Sequence, residues 1–254
     1  MSMLAGKKGL VIGIANRDSI AWACARALRA AGATLGATWQ SEKARPHVEP
    51  LLDELQAELR LPLDVQDDAQ MQALFDAVAR QWGRLDFLLH AVAFAPRQDL
   101  HGRVLDSSRQ GFALAMDVSC HSFIRMARLA EPLMHEGGSL MTLSYLGASA
   151  AVPNYGIMGP VKAALESTTR YLAAELGPAR IRVNAISPGP IQTRAASGIA
   201  SFDALVADSA RRSPIGGELQ PDDVGPLCAF LASDGARAIS GSTLYVDGGY
   251  HILN

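Results

Sequence analysis

The feature that most constrains the fold is an alternation of short, two-sided apolar runs with longer segments of helical period. The runs are Gly9–Ile14, Ala33–Thr38, Arg60–Leu63, Phe87–Val92, Ser139–Leu143, Arg182–Ile186 and Thr243–Val246. Between them lie helical patterns at Ser19–Ala31, Pro46–Leu59, Asp67–Trp82, Gln110–Glu131, Asn154–Leu176 and Pro221–Ala232. A strand that is apolar on both faces must be covered on both faces, and a helix after each strand supplies the cover. The pattern predicts an α/β fold: a single-domain, Rossmann-type doubly wound parallel sheet spanning residues 1–254. Ligands of such sheets bind beyond the carboxyl ends of the strands.

The stretch 187–212 breaks the alternation. It runs Ser187-Pro188-Gly189-Pro190 into Ile191-Gln192-Thr193-Arg194, with one short helix expected at Asp203–Arg211. A long irregular segment directly after a strand predicts a lid, here about residues 190–212. No internal repeat or interdomain linker interrupts the chain.

Composition narrows the function. Hydrophobic residues make up 49% and charged residues 19%, with a formal net charge of -2, so no basic surface invites nucleic acid. No run approaches the roughly 20 apolar residues of a membrane span. The apolar run after Lys7-Lys8 has the length of a buried strand rather than a signal peptide. Three scattered cysteines, Cys24, Cys120 and Cys228, argue against a disulfide framework and fit a cytoplasmic protein. The histidines have no metal-ligand spacing, so no metal site is expected.

Gly13-Ile14-Ala15-Asn16-Arg17-Asp18-Ser19-Ile20 joins the first strand to the first helix. A small residue there lets backbone approach a pyrophosphate, and a helix N-terminus offers unpaired N–H groups. Alone the stretch is weak, since an ordinary strand–turn–helix has the same form. The second strand ends in Trp39-Gln40-Ser41. Gln40 can hydrogen-bond a ribose but carries no charge for a 2′-phosphate, which favours NADH over NADPH. Asp64 and Val65 follow the third strand. They can meet an adenine edge through the carboxylate and a backbone N–H, or Asp64 can cap a turn.

The chemistry falls after the fifth strand, in Ser144-Tyr145-Leu146-Gly147, Pro153-Asn154-Tyr155 and Lys162. On a continuous helix Tyr155 and Lys162 would differ by about 20° in azimuth and share a face. A phenol can hydrogen-bond a carbonyl oxygen that becomes negative as hydride arrives, and an ammonium can hold a ribose. As an isolated pair they would read instead as a surface lysine and a half-buried tyrosine.

Tyr145-x9-Tyr155-x6-Lys162, Asn184-Ala185-Ile186-Ser187, Gly189-Pro190-Ile191 and Val246-Asp247-Gly248-Gly249 together resemble the short-chain dehydrogenase/reductase superfamily. The x6 spacing, Thr142–Gly147, Phe94-Ala95-Pro96 and Ala195–Ile199 narrow the resemblance to the enoyl-acyl-carrier-protein reductases of type II fatty-acid synthesis. It covers the chain from Leu4 to about Tyr250. The resemblance implies NADH-dependent reduction of the trans-2 double bond of an enoyl thioester. In it, Tyr155 stabilises the enolate oxygen, Lys162 holds the nicotinamide ribose and Tyr145 lies against substrate. It places cofactor contacts at Gly13, Ser19, Ile20, Gln40, Asp64, Val65, Val92, Lys162, Ile191, Gln192, Thr193, Arg194 and Ala195, and a substrate contact at Ala95. It also implies a homotetramer acting on acyl carrier protein. The alternatives are a reductase of another carbonyl or enone, and a non-catalytic NAD-binding paralogue.

Two departures stand out. Pro160 falls where the Tyr155–Lys162 helix should run, at a cost of about 3 kcal/mol in a helix interior. A distorted first turn is expected, either within the helix or with Gly159-Pro160 forming its start. The second departure is in the lid around Phe202, where Ala200, Ser201, Asp203 and Ala204 replace the cations usual in relatives. Arg194, Arg211 and Arg212 remain nearest, which weakens steering of an acidic carrier and leaves a coenzyme A thioester as an alternative.

Overall fold

A computed structural model describes residues 2–193 and 201–253. All seven expected strands form: β1 (Lys8–Ile12), β2 (Thr34–Trp39), β3 (Leu59–Pro62), β4 (Phe87–His90), β5 (Gly138–Leu143), β6 (Ile181–Pro188) and β7 (Thr243–Val246). They pair in parallel in the order β3-β2-β1-β4-β5-β6-β7. The chain leaves β1 in one direction and returns at β4 to build in the other. The crevice beyond the carboxyl ends of β1 and β4 is therefore the topological switch point.

One core layer lies on each face. α1 (Ile20–Ala30) and α9 (Pro221–Ala232) pack on one side with Leu28, Leu35, Leu89 and Ile186. Gly225 allows their close approach, since a Cβ there would lie 2.8 Å from the Ala27 Cβ. α3 (Asp68–Trp82), α6 (Ser122–Ala130) and α7 (Met158–Leu176) cover the other side around Leu88, Phe123, Leu140 and Leu165. Among the described residues no helix is long and apolar enough to cross a membrane.

Helix starts follow capping chemistry. Ser19 accepts from the Trp22 N–H, Asp67 from the Ala69 and Gln70 N–H groups, and Ser108 from the Gly111 N–H at the head of α5 (Arg109–Met116). Three expected helices have different bounds. α2 (Arg45–Glu54) stops short of Leu59 because Gln56 turns into the left-handed region at φ 51°; the apolar spacing of Ala57 and Leu59 continues into β3. The expected helix Gln110–Glu131 is split into α5 and α6 by a wide π-type turn at Asp117–His121. The helix expected from Asn154 begins at Met158, because Asn154 (φ 63°) and Gly156 (φ 53°) both adopt left-handed backbone. A four-residue α4 (Arg97–Leu100) and the lid helix α8 (Phe202–Arg212) complete the set.

Candidate active site

Pro160 is the third residue of α7, where its missing N–H belongs to the unpaired first turn. The first bond of the helix ladder comes from the next residue, Val161 N to Ile157 O at 3.2 Å. The helix-interior penalty therefore does not apply. Tyr155 sits in the turn ahead of the helix, so the shared-face geometry expected of Tyr155 and Lys162 does not hold. The turn brings the phenol to the site by another route. A Cβ on Gly147 would lie 2.4 Å from the Tyr155 ring, so this glycine makes room for it.

Tyr145 follows β5, and its ring meets that of Tyr155 at 4.7 Å between centroids, tilted 56°. Both side chains are buried, in a cluster with Ala95, Leu100, Ile157, Met158 and Leu205. Burial holds both phenols well above the usual tyrosine range. The Tyr145 hydroxyl has no hydrogen-bond partner among the described residues. Lys162, in the second turn of α7, is also buried, and its Nζ donates to the Leu143 carbonyl at 2.6 Å. Desolvation lowers its pKa to about 8, opposed by the nearby Cys120 and Glu166. Ser144 in turn donates to Glu166, fixing the β5 exit to α7.

His90, at the end of β4, has no counterpart among the expected site residues. It is fully buried between Thr142 (Nδ1, 3.0 Å) and Ser122 (Nε2, 2.8 Å). The Ser122 hydroxyl donates to the Val118 carbonyl and so accepts from Nε2, while the single Thr142 hydroxyl proton lies within reach of both Nδ1, at 3.0 Å, and the His90 carbonyl, at 3.3 Å. Burial, reinforced by the Lys162 charge, lowers its pKa to about 3 and keeps it neutral. His90 thus struts β4 to β5 and to the residue after the π-type turn. Within that turn, Ser119 Oγ accepts from the Phe94 N–H at 2.9 Å. A lone histidine closing an apolar strand was the available signal in the sequence.

The nucleotide-side residues line the strand ends. Gly13 has φ 97°, and a Cβ there would lie 2.5 Å from the Ala91 carbonyl and 3.2 Å from Val92, which closes the switch point to any larger residue. Ser19 caps α1, and Ile20 begins it. Gln40 is exposed beyond β2. Asp64 takes the turn-capping role, its Oδ1 accepting from the Gln66 N–H at 3.0 Å, and the buried Val65 offers its carbonyl to Arg125. Ile191 is buried, Gln192 donates to Asp203 on α8 at 2.6 Å, and Thr193 is half-buried. Arg194 and Ala195, with the stretch to Ile199, lie outside the described residues.

A dinucleotide fits this edge. Of six buried side-chain polar atoms without a partner among the described residues, three, Trp39 Nε1, the Tyr145 hydroxyl and Ser187 Oγ, lie at the carboxyl ends of β2, β5 and β6. Buried polar groups are ordinarily satisfied, so their grouping at one edge marks a place that awaits a polar ligand. Beyond β2, the Arg45 guanidinium lies 5.9 Å from the Trp39 ring centre and is held by Glu42 and Glu49 at 3.4 and 3.0 Å.

Comparison with known proteins agrees with this geometry. The family described as Enoyl-(Acyl carrier protein) reductase matches residues 13–251. An NADH enoyl-acyl-carrier-protein reductase of a Nostoc species is 48% identical, covering 100% of this chain and 99% of its own. A Synechocystis relative of the same description is 46% identical over 98% of each chain. The Anaplasma phagocytophilum enoyl-acyl-carrier-protein reductase, solved in complex with NAD, superposes with a TM-score of 0.96 at 45% identity, covering 99% of this chain and 96% of that one. The Bacillus cereus enzyme, solved with NADP+ and an indole naphthyridinone, gives 0.97 at 42% identity over the whole of both chains. With its strand order, its tyrosine pair and its full-length relatives in agreement, the chain belongs to the enoyl-(acyl carrier protein) reductase family.

Proposed function

We propose that the chain reduces the trans-2 double bond of an enoyl thioester with NADH, on acyl carrier protein, in fatty-acid synthesis. The observation that carries this reading is the buried Tyr145–Tyr155 pair, with the Tyr145 hydroxyl unpartnered among the described residues, following β5, whose last carbonyl, that of Leu143, holds the buried Lys162. Family membership supports the same chemistry. NADH, when bound, would supply the hydride that the β-carbon of the substrate receives, and a proton drawn from solvent would complete the reduction at the α-carbon.

The chain's own part is to receive charge. The Tyr155 hydroxyl donates a hydrogen bond to the thioester oxygen as it becomes an enolate. Burial keeps this phenol protonated across the physiological range, so it is a donor at every working pH. Tyr145 packs against the Tyr155 ring and offers a second hydroxyl to the substrate. Lys162 binds the nicotinamide ribose, and its Leu143 carbonyl contact fixes where the ammonium sits. Gly13, Ser19, Ile20, Gln40, Asp64, Val65, Val92 and Ile191–Thr193 contact the cofactor, together with Arg194 and Ala195, and Ala95 contacts the acyl group. The neutral Gln40 and the carboxylate-bound Arg45 support NADH over NADPH.

The chain acts as one domain, with residues 190–212 as lid; packing of Leu205 against the tyrosine cluster supports this. The protein works in the cytoplasm as a homotetramer. Tyr171, 70% exposed, stands on α7 beside Ile124 and Ala164 and the polar Ser167, Thr168 and Glu175, a mixed face suited to another copy. The test is loss of NADH absorbance on adding a crotonyl thioester. Tight NADH binding with no turnover of any enoyl thioester would refute the reading.

A further inference from the structure

We infer that an acidic carrier protein docks on the segment Arg97–Arg109, which packs against the tyrosine cluster through Leu100. This rests on the enoyl-thioester reading and adds where the protein partner sits.

Among the described residues, the cations of the lid helix are already paired. Arg211 and Arg212 on α8 are both held by Asp208, at 2.6 and 3.3 Å, and Asp208 also accepts from the Tyr250 hydroxyl. Asp203 is turned to Gln192. The cations of this helix therefore share a half-exposed carboxylate of the same helix.

The segment Arg97–Arg109 differs. Arg97, Arg103 and Arg109 are exposed, and none has an ion pair or hydrogen-bond partner among the described residues. Of the segment's two carboxylates, Asp99 is buried and accepts from the Ser108 N–H at 2.5 Å, tying α4 to the head of α5. Only Asp106 shares the surface with the arginines. Leu105, 80% exposed, adds an apolar contact among them. Unpaired guanidinium groups around an exposed leucine suit an anionic protein surface, by steering and by bidentate carboxylate contacts.

The segment also leads to the chemistry. Leu100 packs in the Tyr145–Tyr155 cluster, and its carbonyl lies where a Cβ on Gly156 would be, 2.7 Å away. Val104, next to Arg103, lines a cavity of about 350 Å³ whose wall includes Gly147, Val152, Tyr155 and Pro160. A carrier held by these arginines would stand beside a cavity that has Tyr155 in its wall.

The test compares crotonyl groups on acyl carrier protein and on N-acetylcysteamine, which has no charge and no protein. In the variant Arg97→Glu, Arg103→Glu, Arg109→Glu, kcat/KM for the carrier substrate should fall about tenfold or more. Its fall with ionic strength should flatten, while the small thioester and NADH are used as before. Arg211→Glu should change the carrier rate less than twofold. Unaltered carrier kinetics in the triple variant, an equal loss with both substrates, or a larger effect from Arg211→Glu would each overturn the docking site. Absence of turnover on the small thioester by the unsubstituted protein would instead refute the enzymatic reading itself. The neutral set Arg97→Gln, Arg103→Gln, Arg109→Gln should show the same selectivity with a smaller drop, guarding against misfolding of the reversed set.

Discussion

Replacing Lys162 by methionine should abolish the proposed ribose contact and yet relieve the fold of a charge it carries at a cost. The ammonium is buried, and its pKa falls from 10.5 to about 8, chiefly through desolvation. That depression corresponds to about 3 kcal/mol held against the native state. The sign follows from proton binding. Below pH 8 both states are protonated and the native protein bears the full cost. Between 8 and 10.5 the unfolded chain holds the extra proton, so native stability rises with pH; above 10.5 the cost is gone. Lys162→Met has no such proton. It does strand the Leu143 carbonyl, at about 1–3 kcal/mol, an offset that does not vary with pH. Near pH 7 the variant should therefore be as stable as the parent or up to about 2 kcal/mol more so. Across pH 8 to 10.5 the parent should gain about 3 kcal/mol on it. Urea unfolding of both proteins at several pH values measures this, with the tyrosines and Cys120 common to both. Parallel stability curves across that interval would refute the claim that burial holds a charged lysine at this site.

The remaining expectations are more direct. Tyr155→Phe should lower turnover about 100-fold or more with NADH binding retained, as stopped-flow and fluorescence titration would show; loss of binding would reassign the residue. Glu42→Gln with Glu49→Gln should free Arg45 and raise kcat/KM for NADPH relative to NADH, and an unchanged ratio would separate this ion pair from cofactor choice. Gly111→Ala should cost about 1–3 kcal/mol, because its Cβ would fall 2.0 Å from the buried Asp99 carboxylate. An unshifted denaturation midpoint would show that the segment Arg97–Arg109 yields at no cost.

Some of this molecule was settled by the order of its residues. Two-sided apolar strands alternating with helices leave few arrangements other than a covered parallel sheet, and all seven strands formed where expected. Ser19, Asp67 and Gly13 are local choices with local consequences, because a cap or a positive φ is decided within a few residues. The boundaries at Gln56, Asp117–His121 and Asn154–Gly156 were hidden, since periodicity reports a face and is blind to a single left-handed residue or one added residue in a turn. Pro160 left two readings, inside the helix or at its start, and only the left-handed turn at Asn154–Gly156 decides for the second, with Tyr155 ahead of the helix. His90 was missed because its meaning lies in Thr142 and Ser122, distant in sequence and brought together by strand pairing and the π-type turn. The pairing of Arg211 and Arg212 with Asp208, against the unpaired Arg97, Arg103 and Arg109, was likewise a matter of three dimensions. A sequence records the charges a chain carries, and the fold decides which of them are already neutralised by a neighbour.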